Sequence, residues 1–189
     1  MKAEEVLEIF RKAGALLEGH FLLSSGLHSS KYLQCALVLQ DLARAEAFGR
    51  EIADGFRNQG IQLVASPAIG GLIIGHEVAR ALGAKFLWTE RENGRMTLRR
   101  GFTISPGEKT LVVEDVVTTG GSTRETIETL KAAGADVVAA ASIIDRSGGS
   151  ADVGVPRVAL AQLEVAAVES SVCEACARGD KAIKPGSRS

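Results

Sequence analysis

The chain has 189 residues, 46% of them hydrophobic, with 22 Lys and Arg set against 23 Asp and Glu. That length can bury a sizeable core but does not suggest two full-sized domains, so one compact α/β domain with small additions is expected. The balanced charge argues against a basic surface that tracks nucleic acid, and no apolar run approaches membrane-spanning length, so neither nucleic acid nor membrane is an expected partner.

The first five residues carry Glu4 and Glu5 where a secretory signal has basic and then apolar residues, and the three cysteines cannot staple a small fold. A cytoplasmic protein with free thiols is expected. Over residues 3–13, Val6, Leu7, Phe10 and Ala13 recur at helical spacing, with Gly14 placed to end the helix. Residues 19–34 mix the β-favouring Phe21, Tyr32 and Leu33 with a Ser/Gly/His cluster and predict two short strands around a polar loop. Together, residues 1–40 form an N-terminal piece able to cover a larger domain.

From Asp41 the pattern alternates through a core over residues 41–165. A helix to about residue 59 leads to a strand over 61–65, a Pro/Gly loop and a helix over 71–82. Strands over 85–89 and 110–113, a helix over 123–133 and a strand over 137–144 follow. Apolar strands alternating with helices predict a parallel sheet covered on both faces. About residues 86–102 form an excursion, a hairpin turning at Asn93-Gly94. The tail over 166–189 lacks a periodic apolar face and is expected to be loop.

Most of the chemistry lies in residues 110–123, Thr-Leu-Val-Val-Glu-Asp-Val-Val-Thr-Thr-Gly-Gly-Ser-Thr. A buried strand ends in Glu114 and Asp115, and a hydroxyl- and glycine-rich loop then enters a helix. In open α/β sheets ligands bind beyond the carboxyl ends of strands, where a helix N-terminus offers free N–H groups to a phosphate. Gly120 and Gly121 allow close approach, and Thr118, Thr119, Ser122 and Thr123 add hydroxyls. Two acids beside that nest suit sugar hydroxyls or Mg²⁺ rather than the phosphate itself. Ser122 with Glu125 also meets the capping-box pattern, which leaves the acids unexplained. Neither G-x-x-x-x-G-K-[ST] nor G-x-G-x-x-G occurs, so P-loop and dinucleotide-binding readings lose their support.

Residues 112–123 resemble the ribose-phosphate motif of type I phosphoribosyltransferases: apolar residues, two acids, then a Thr/Gly loop. The resemblance implies that family's α/β fold, a parallel sheet flanked by helices with a small N-terminal hood. It implies that Glu114 and Asp115 hold the ribose hydroxyls at the catalytic centre. It places Val116 and Val117 in the same binding segment, with Thr118, Thr119, Gly120, Gly121 and Ser122 around the 5-phosphate of phosphoribosyl pyrophosphate. Mg²⁺ would bridge the pyrophosphate, which a second loop receives. Ser66-Pro67-Ala68-Ile69-Gly70-Gly71 stands where that loop belongs and assigns Ala68, Ile69 and Gly70 to it.

Residues 21–32, Phe-Leu-Leu-Ser-Ser-Gly-Leu-His-Ser-Ser-Lys-Tyr, resemble the hood of the family's orotate-specific members, which implies contacts from Ser25 and Gly26 to the base. The same resemblance sets Arg146, with Thr118, against orotate and its carboxylate, a task that suits an Arg fork. Taken alone, Asp145-Arg146 reads as an ion pair after a strand. The implied product is orotidine 5′-monophosphate, in pyrimidine (UMP) biosynthesis, and the implied assembly is a homodimer with shared active sites.

This chain departs from the orotate pattern at two positions, with Ser24 and Gly70 where many such enzymes carry lysines. Its hairpin, Arg91-Glu92-Asn93-Gly94-Arg95, also lacks the usual loop lysine and histidine. Arg91 and Arg95 are the candidates to supply that positive charge, with Arg99 and Arg100 behind them, and Arg95 takes the catalytic position. No covalent nucleophile is needed, and His20, His28 and His76 need no catalytic role; His28, in the hood turn, is the one histidine singled out for attention. Cys173-x-x-Cys176 is half of a zinc site, or a redox pair, with no second pair or neighbouring His in the sequence, so no metal ligands are assigned. Two alternatives stay open: a purine-type phosphoribosyltransferase, and a non-catalytic nucleotide-sensing regulator on the same site.

Overall fold

A computed structural model describes residues 1–23, 26–163 and 165–184. In chain order its elements are α1 (Ala3–Lys12), β1 (Leu16–Leu22), β2 (His28–Leu33), α2 (Ala36–Leu39), α3 (Leu42–Asp54), β3 (Leu63–Pro67) and α4 (Leu72–Leu82). There follow β4 (Lys85–Glu92), β5 (Arg95–Leu98), β6 (Lys109–Val117), α5 (Gly121–Ala132), β7 (Asp136–Asp145), β8 (Arg157–Gln162), β9 (Ala167–Val168) and α6 (Glu174–Ala177). A 3₁₀ turn over Ser170–Val172 precedes α6.

The large sheet runs β5-β4-β3-β6-β7-β8, parallel except for the antiparallel edge strand β5. Alternation along the strands divides its core in two. Val64, Leu111, Val113, Ala139, Ala141 and Ile143 pack towards Phe10 of α1, Phe48 and Ile52 of α3, and Ile74 and Val78 of α4. Leu63, Ala65, Leu87, Val112 and Ala140 pack towards Ile127 and Leu130 of α5. Helices therefore cover both faces, as the apolar strands predict.

The hairpin also forms where expected. Asn93 and Gly94 both have positive φ, 50° and 83°, and Glu92 pairs with Arg95 across them. That geometry follows the strand twist. Other boundaries shift. Strand β6 runs on to Val117, beyond residue 113, because its partner β7 continues to Asp145 and the register keeps Glu114 opposite Ser142 and Val117 opposite Asp145. The two acids thus sit on the strand itself, which continues two residues past them. Helix α3 stops at Asp54, before residue 59, with Gly55 as its C-cap. Strand β8, an edge strand after Pro156, is an addition to the elements read from the sequence.

A second sheet, β1-β2-β9, joins the N-terminal piece to the tail. Ser29 pairs with Ala167 and His28 with Val168, while Ile183 bridges to Phe21. Over its described residues, 166–184, the tail is consequently packed on the hood, its backbone engaged by the N-terminal strands at Ala167, Val168 and Ile183. Among the described residues, no helix is long and apolar enough to cross a membrane.

Candidate active site

The loop after β6 has the features of an anion nest. Gly120 is the N-cap of α5 with φ 78°, and a Cβ there would also stand 2.9 Å from Val153 Cγ1. Glycine is needed on both counts. The capping box expected of Ser122 and Glu125 is not formed: Ser122 lies inside α5, the helix has no side-chain cap, and Glu125 binds Arg91 at 2.9 Å. The free N–H groups at the helix start remain available to a ligand. Thr118, Thr119, Gly120, Gly121 and Ser122 line a cavity there with Val116, Val117, Glu114 and Arg91.

Glu114 is buried and Asp115 partly so. Burial pushes the Glu114 carboxyl well above the usual carboxylate range, and the neighbouring Asp115 adds to the rise. Burial also raises Asp115, against the hydrogen bonds it accepts from Glu114, from the Val116 N–H at 2.8 Å and from the Cys35 thiol. Neither acid has a lysine or arginine ion-pair partner among the described residues. Such a pair calls for hydroxyl donors or a cation from a ligand.

The second loop meets the acids directly. The Ala68–Ile69 peptide is cis. A Cβ on Gly70 would stand 2.7 Å from Asp115 Oδ1, and one on Gly71 would stand 3.2 Å from Glu114 Oε1. Ala68 and Ile69 line a further cavity with Leu72, Trp88, Glu90, Arg91 and Arg100. Arg91 therefore borders both this cavity and the one at the start of α5, while donating to the Gly94 carbonyl. Arg100 instead pairs with Glu90 and lies 5.9 Å from the Trp88 ring centroid, and Arg99 pairs with Glu90 and Glu92. Arg95, at the exposed start of β5, lines none of these cavities.

A third cavity, of about 590 Å³, lies under the hood. Leu23, Leu27, Tyr32 and Leu33 form one wall, Val165 and Ala167 of the tail another, and Asp115, Val116, Thr118, Thr119 and Arg146 the floor. It shares Val116, Thr118 and Thr119 with the cavity at the start of α5. Arg146 does not pair with Asp145, contrary to the ion-pair reading. Asp145 is buried and bound to Arg157 Nη1 at 2.9 Å, to the Ser147 hydroxyl at 2.6 Å and to the Gly149 N–H at 2.9 Å. Arg146 is left half-buried, its Nε buried without a hydrogen-bond partner. Burial lowers its pKa.

Gly26 keeps its place in the hood turn, with φ 85° and its N–H donating to the Leu23 carbonyl at 3.0 Å. Ser24 and Ser25, the latter a candidate base contact, lie outside the described residues. Sequence reasoning missed Tyr32 and Cys35 as groups at the site. Cys35 is buried, its thiol pushed well up by burial and then by Asp115, so it acts as an S–H donor. Tyr32 is raised by burial and by Asp115. Strand alternation places Tyr32 in the hood, but no local pattern aims it at residues more than eighty positions away.

The phosphoribosyl transferase domain family matches residues 38–154. The orotate phosphoribosyltransferase of Desulforamulus reducens is 50% identical over 188 residues, covering 100% of this chain and 98% of that protein. The orotate phosphoribosyltransferase of Thermotoga maritima is 51% identical over 183 residues, covering 97% of this chain and 98% of its own. The crystal structure of orotate phosphoribosyltransferase from Aeropyrum pernix has a TM-score of 0.68 at 28% identity, covering 84% of this chain and 93% of that one. An adenine phosphoribosyltransferase from Thermoanaerobacter pseudethanolicus shares the fold, with a TM-score of 0.67 at 16% identity over 84% of this chain and 99% of that one. By its motifs and by its full-length relatives, the chain belongs to the phosphoribosyltransferase family, among the orotate phosphoribosyltransferases.

Proposed function

We propose that the chain transfers the phosphoribosyl group of phosphoribosyl pyrophosphate to a ring nitrogen of orotate, giving orotidine 5′-monophosphate and pyrophosphate. The observation that carries the choice of base is Arg146, half-buried and without a partner for its Nε, in the hood cavity beside the phosphate nest. A guanidinium in that state favours a planar carboxylate, which orotate has and adenine lacks. The fold alone does not choose, since an adenine enzyme shares it equally well.

In this reading the nest at 118–122 anchors the 5-phosphate through N–H groups and hydroxyls, which fixes the ribose against Glu114 and Asp115. The acids accept hydrogen bonds from the ribose hydroxyls. Orotate lies under the hood against Tyr32, Gly26, Thr118 and Arg146, aligned with the anomeric carbon. Pyrophosphate leaves towards Ala68, Ile69 and Gly70, where Arg91 stands at the border of the two cavities.

The buried acid pair fits Mg²⁺ as an ion carried with the substrate: Glu114 and Asp115 would hold it through the ribose hydroxyls. When bound it neutralises charge on the departing pyrophosphate. Arg95, exposed at the hairpin, is proposed to act in the active site of a partner subunit of a homodimer. Ile69 and Ile73, 83% and 44% exposed beside the pyrophosphate loop, supply apolar surface for such a contact. A cytoplasmic location belongs to the same proposal and suits the free cysteines.

The test is loss of orotate absorbance with phosphoribosyl pyrophosphate and Mg²⁺. Turnover abolished by Asp115→Asn supports the reaction and the site together. Turnover of a purine base without loss of orotate overturns the acceptor.

A further inference from the structure

The fold supplies what the sequence around Cys173-x-x-Cys176 lacks. His20 of β1 and His28 of β2 come up against the cysteine pair, and the four ligand atoms all lie within 4.8 Å of one another. His20 Nε2 is 3.5 Å from Cys173 Sγ and 3.7 Å from Cys176 Sγ, while His28 Nδ1 is 3.2 Å from Cys176 Sγ and 2.7 Å from His20 Nε2. Tetrahedral zinc, with bonds of about 2.3 Å to sulfur and about 2.0–2.1 Å to nitrogen, sets ligands about 3.6 Å apart for S–N edges and about 3.4 Å for N–N. The observed S–N separations centre on that edge length. The expectation that no histidine completes the pair therefore does not hold in three dimensions.

We propose that His20, His28, Cys173 and Cys176 form a structural zinc site. Two further features prepare it. The Asp180 carbonyl, 3.0 Å from His20 Nδ1, can only accept a hydrogen bond, so Nδ1 carries the hydrogen and Nε2 turns its lone pair to the cluster. The Cys173 carbonyl accepts from the Ala177 N–H at 3.0 Å, which fixes the turn that brings Cys176 back beside Cys173.

Without an ion, the two facing imidazole nitrogens share one hydrogen. Binding leaves both lone pairs on the metal, moves that hydrogen to the far nitrogen of His28, and releases one proton from each thiol. Zn²⁺ with two thiolates and two neutral imidazoles carries no net charge, which suits a site where His28 and Cys173 are buried. Mixed sulfur and imidazole ligands in tetrahedral array favour zinc over hard cations such as Mg²⁺. Four protein ligands leave no open position, so the site is structural and separate from the transferase chemistry.

Its place gives it a task. Two ligands stand on the hood strands and two on the tail, and β9 with the Ile183 bridge ties the same two segments. The hood and the tail form adjoining walls of the cavity that holds Arg146. The ion would clip those walls together where two short strands supply little of their own stability.

Metal analysis of untagged protein, reduced, incubated with zinc and desalted, should find about one zinc per chain. Cobalt(II) in its place should give the strong visible bands of a tetrahedral site together with thiolate charge-transfer absorption. The Cys173→Ser/Cys176→Ser double variant should lose both signals, and His20→Ala should lose the tetrahedral spectrum. Wild-type protein that retains no zinc, a weak octahedral cobalt spectrum, or a Cys173–Cys176 disulfide in protein taken directly from cells would each overturn the site. The wild-type measurements decide even where a variant fails to fold, and none of them depends on which base the enzyme uses.

Discussion

Gly70 sits against the carboxylate of Asp115 so closely that a Cβ at residue 70 would lie 2.7 Å from Oδ1 and 3.0 Å from Oδ2. The loop assigned to pyrophosphate and the acid assigned to ribose are thus one packed unit. Gly70→Ala must push the loop or the acid away, and a displacement near 1 Å at reacting groups costs about 10²-fold in rate. The expected outcome is a loss of that order in kcat/KM for phosphoribosyl pyrophosphate with the melting temperature little changed, because residue 70 is exposed on its other side. Unchanged steady-state kinetics would show that the contact relaxes without consequence.

Arg146→Gln tests the base pocket. A hydrogen bond to a charged group is worth about 1.5–3 kcal/mol, so KM for orotate should rise on the order of 10- to 100-fold while KM for phosphoribosyl pyrophosphate holds. Arg146→Lys should recover little, since a point charge does not reproduce the planar fork. Equal loss for both substrates would place Arg146 elsewhere in the mechanism.

The turn that brings two acids, a Thr/Gly loop and a helix start together was legible in the sequence because its parts are contiguous: Glu114, Asp115 and residues 118–121 follow one another from strand to helix. The parallel sheet was legible because its strands are apolar on both faces and separated by helical periods. What remained hidden is what the chain assembles across distance. Residues 20 and 28 meet 173 and 176 only because β9 and Ile183 lay the tail on the hood, and no local pattern encodes that pairing. Likewise the sequence neighbours Asp145 and Arg146 suggested a pair, whereas Asp145 binds Arg157 across the loop and releases Arg146 to the cavity. The reading of Ser122 and Glu125 as a capping box went wrong for a backbone reason: left-handed Gly120 starts the helix before Ser122.

The pair Asp145–Arg157 should carry much of the stability at the carboxyl end of β7. Burial opposes charge on Asp145, but the Ser147 hydroxyl and N–H and the Arg157 guanidinium outweigh it and hold its pKa below the usual value. A depressed folded-state pKa gives stability that is present above the unfolded pKa of about 3.9 and is lost as pH falls through the folded one. Asp145→Asn strands a largely buried Arg157 and should cost about 3–5 kcal/mol at neutral pH, a fall in melting temperature on the order of 10 °C. Thermal unfolding of the two proteins should begin to converge as pH falls below about 4 and meet only below the depressed folded-state pKa. A constant gap down to pH 2 would mean that packing, not charge, explains the loss.

Glu114 should show the opposite sign. Its folded-state pKa stands well above the ordinary value, chiefly through burial and next through Asp115, so the folded chain holds this proton more tightly than the unfolded chain does. Below the unfolded pKa of about 4.3 the carboxyl is neutral in both states, and as pH rises from there the charge is tolerated better in the unfolded chain, so the site subtracts stability. Glu114→Gln removes that charge at nearly constant shape. Without substrate, the variant should gain on the wild type progressively from about pH 5 upward, each kcal/mol appearing as about 2–4 °C in melting temperature. With Mg²⁺ and phosphoribosyl pyrophosphate the order should reverse, because the ribose hydroxyls then stabilise the wild-type carboxylate and the variant has lost that acceptor. Melting curves of both proteins across that pH range, with and without substrate, measure both effects. A pH-independent difference would mean that Glu114 is not held as a destabilised acid awaiting its ligand.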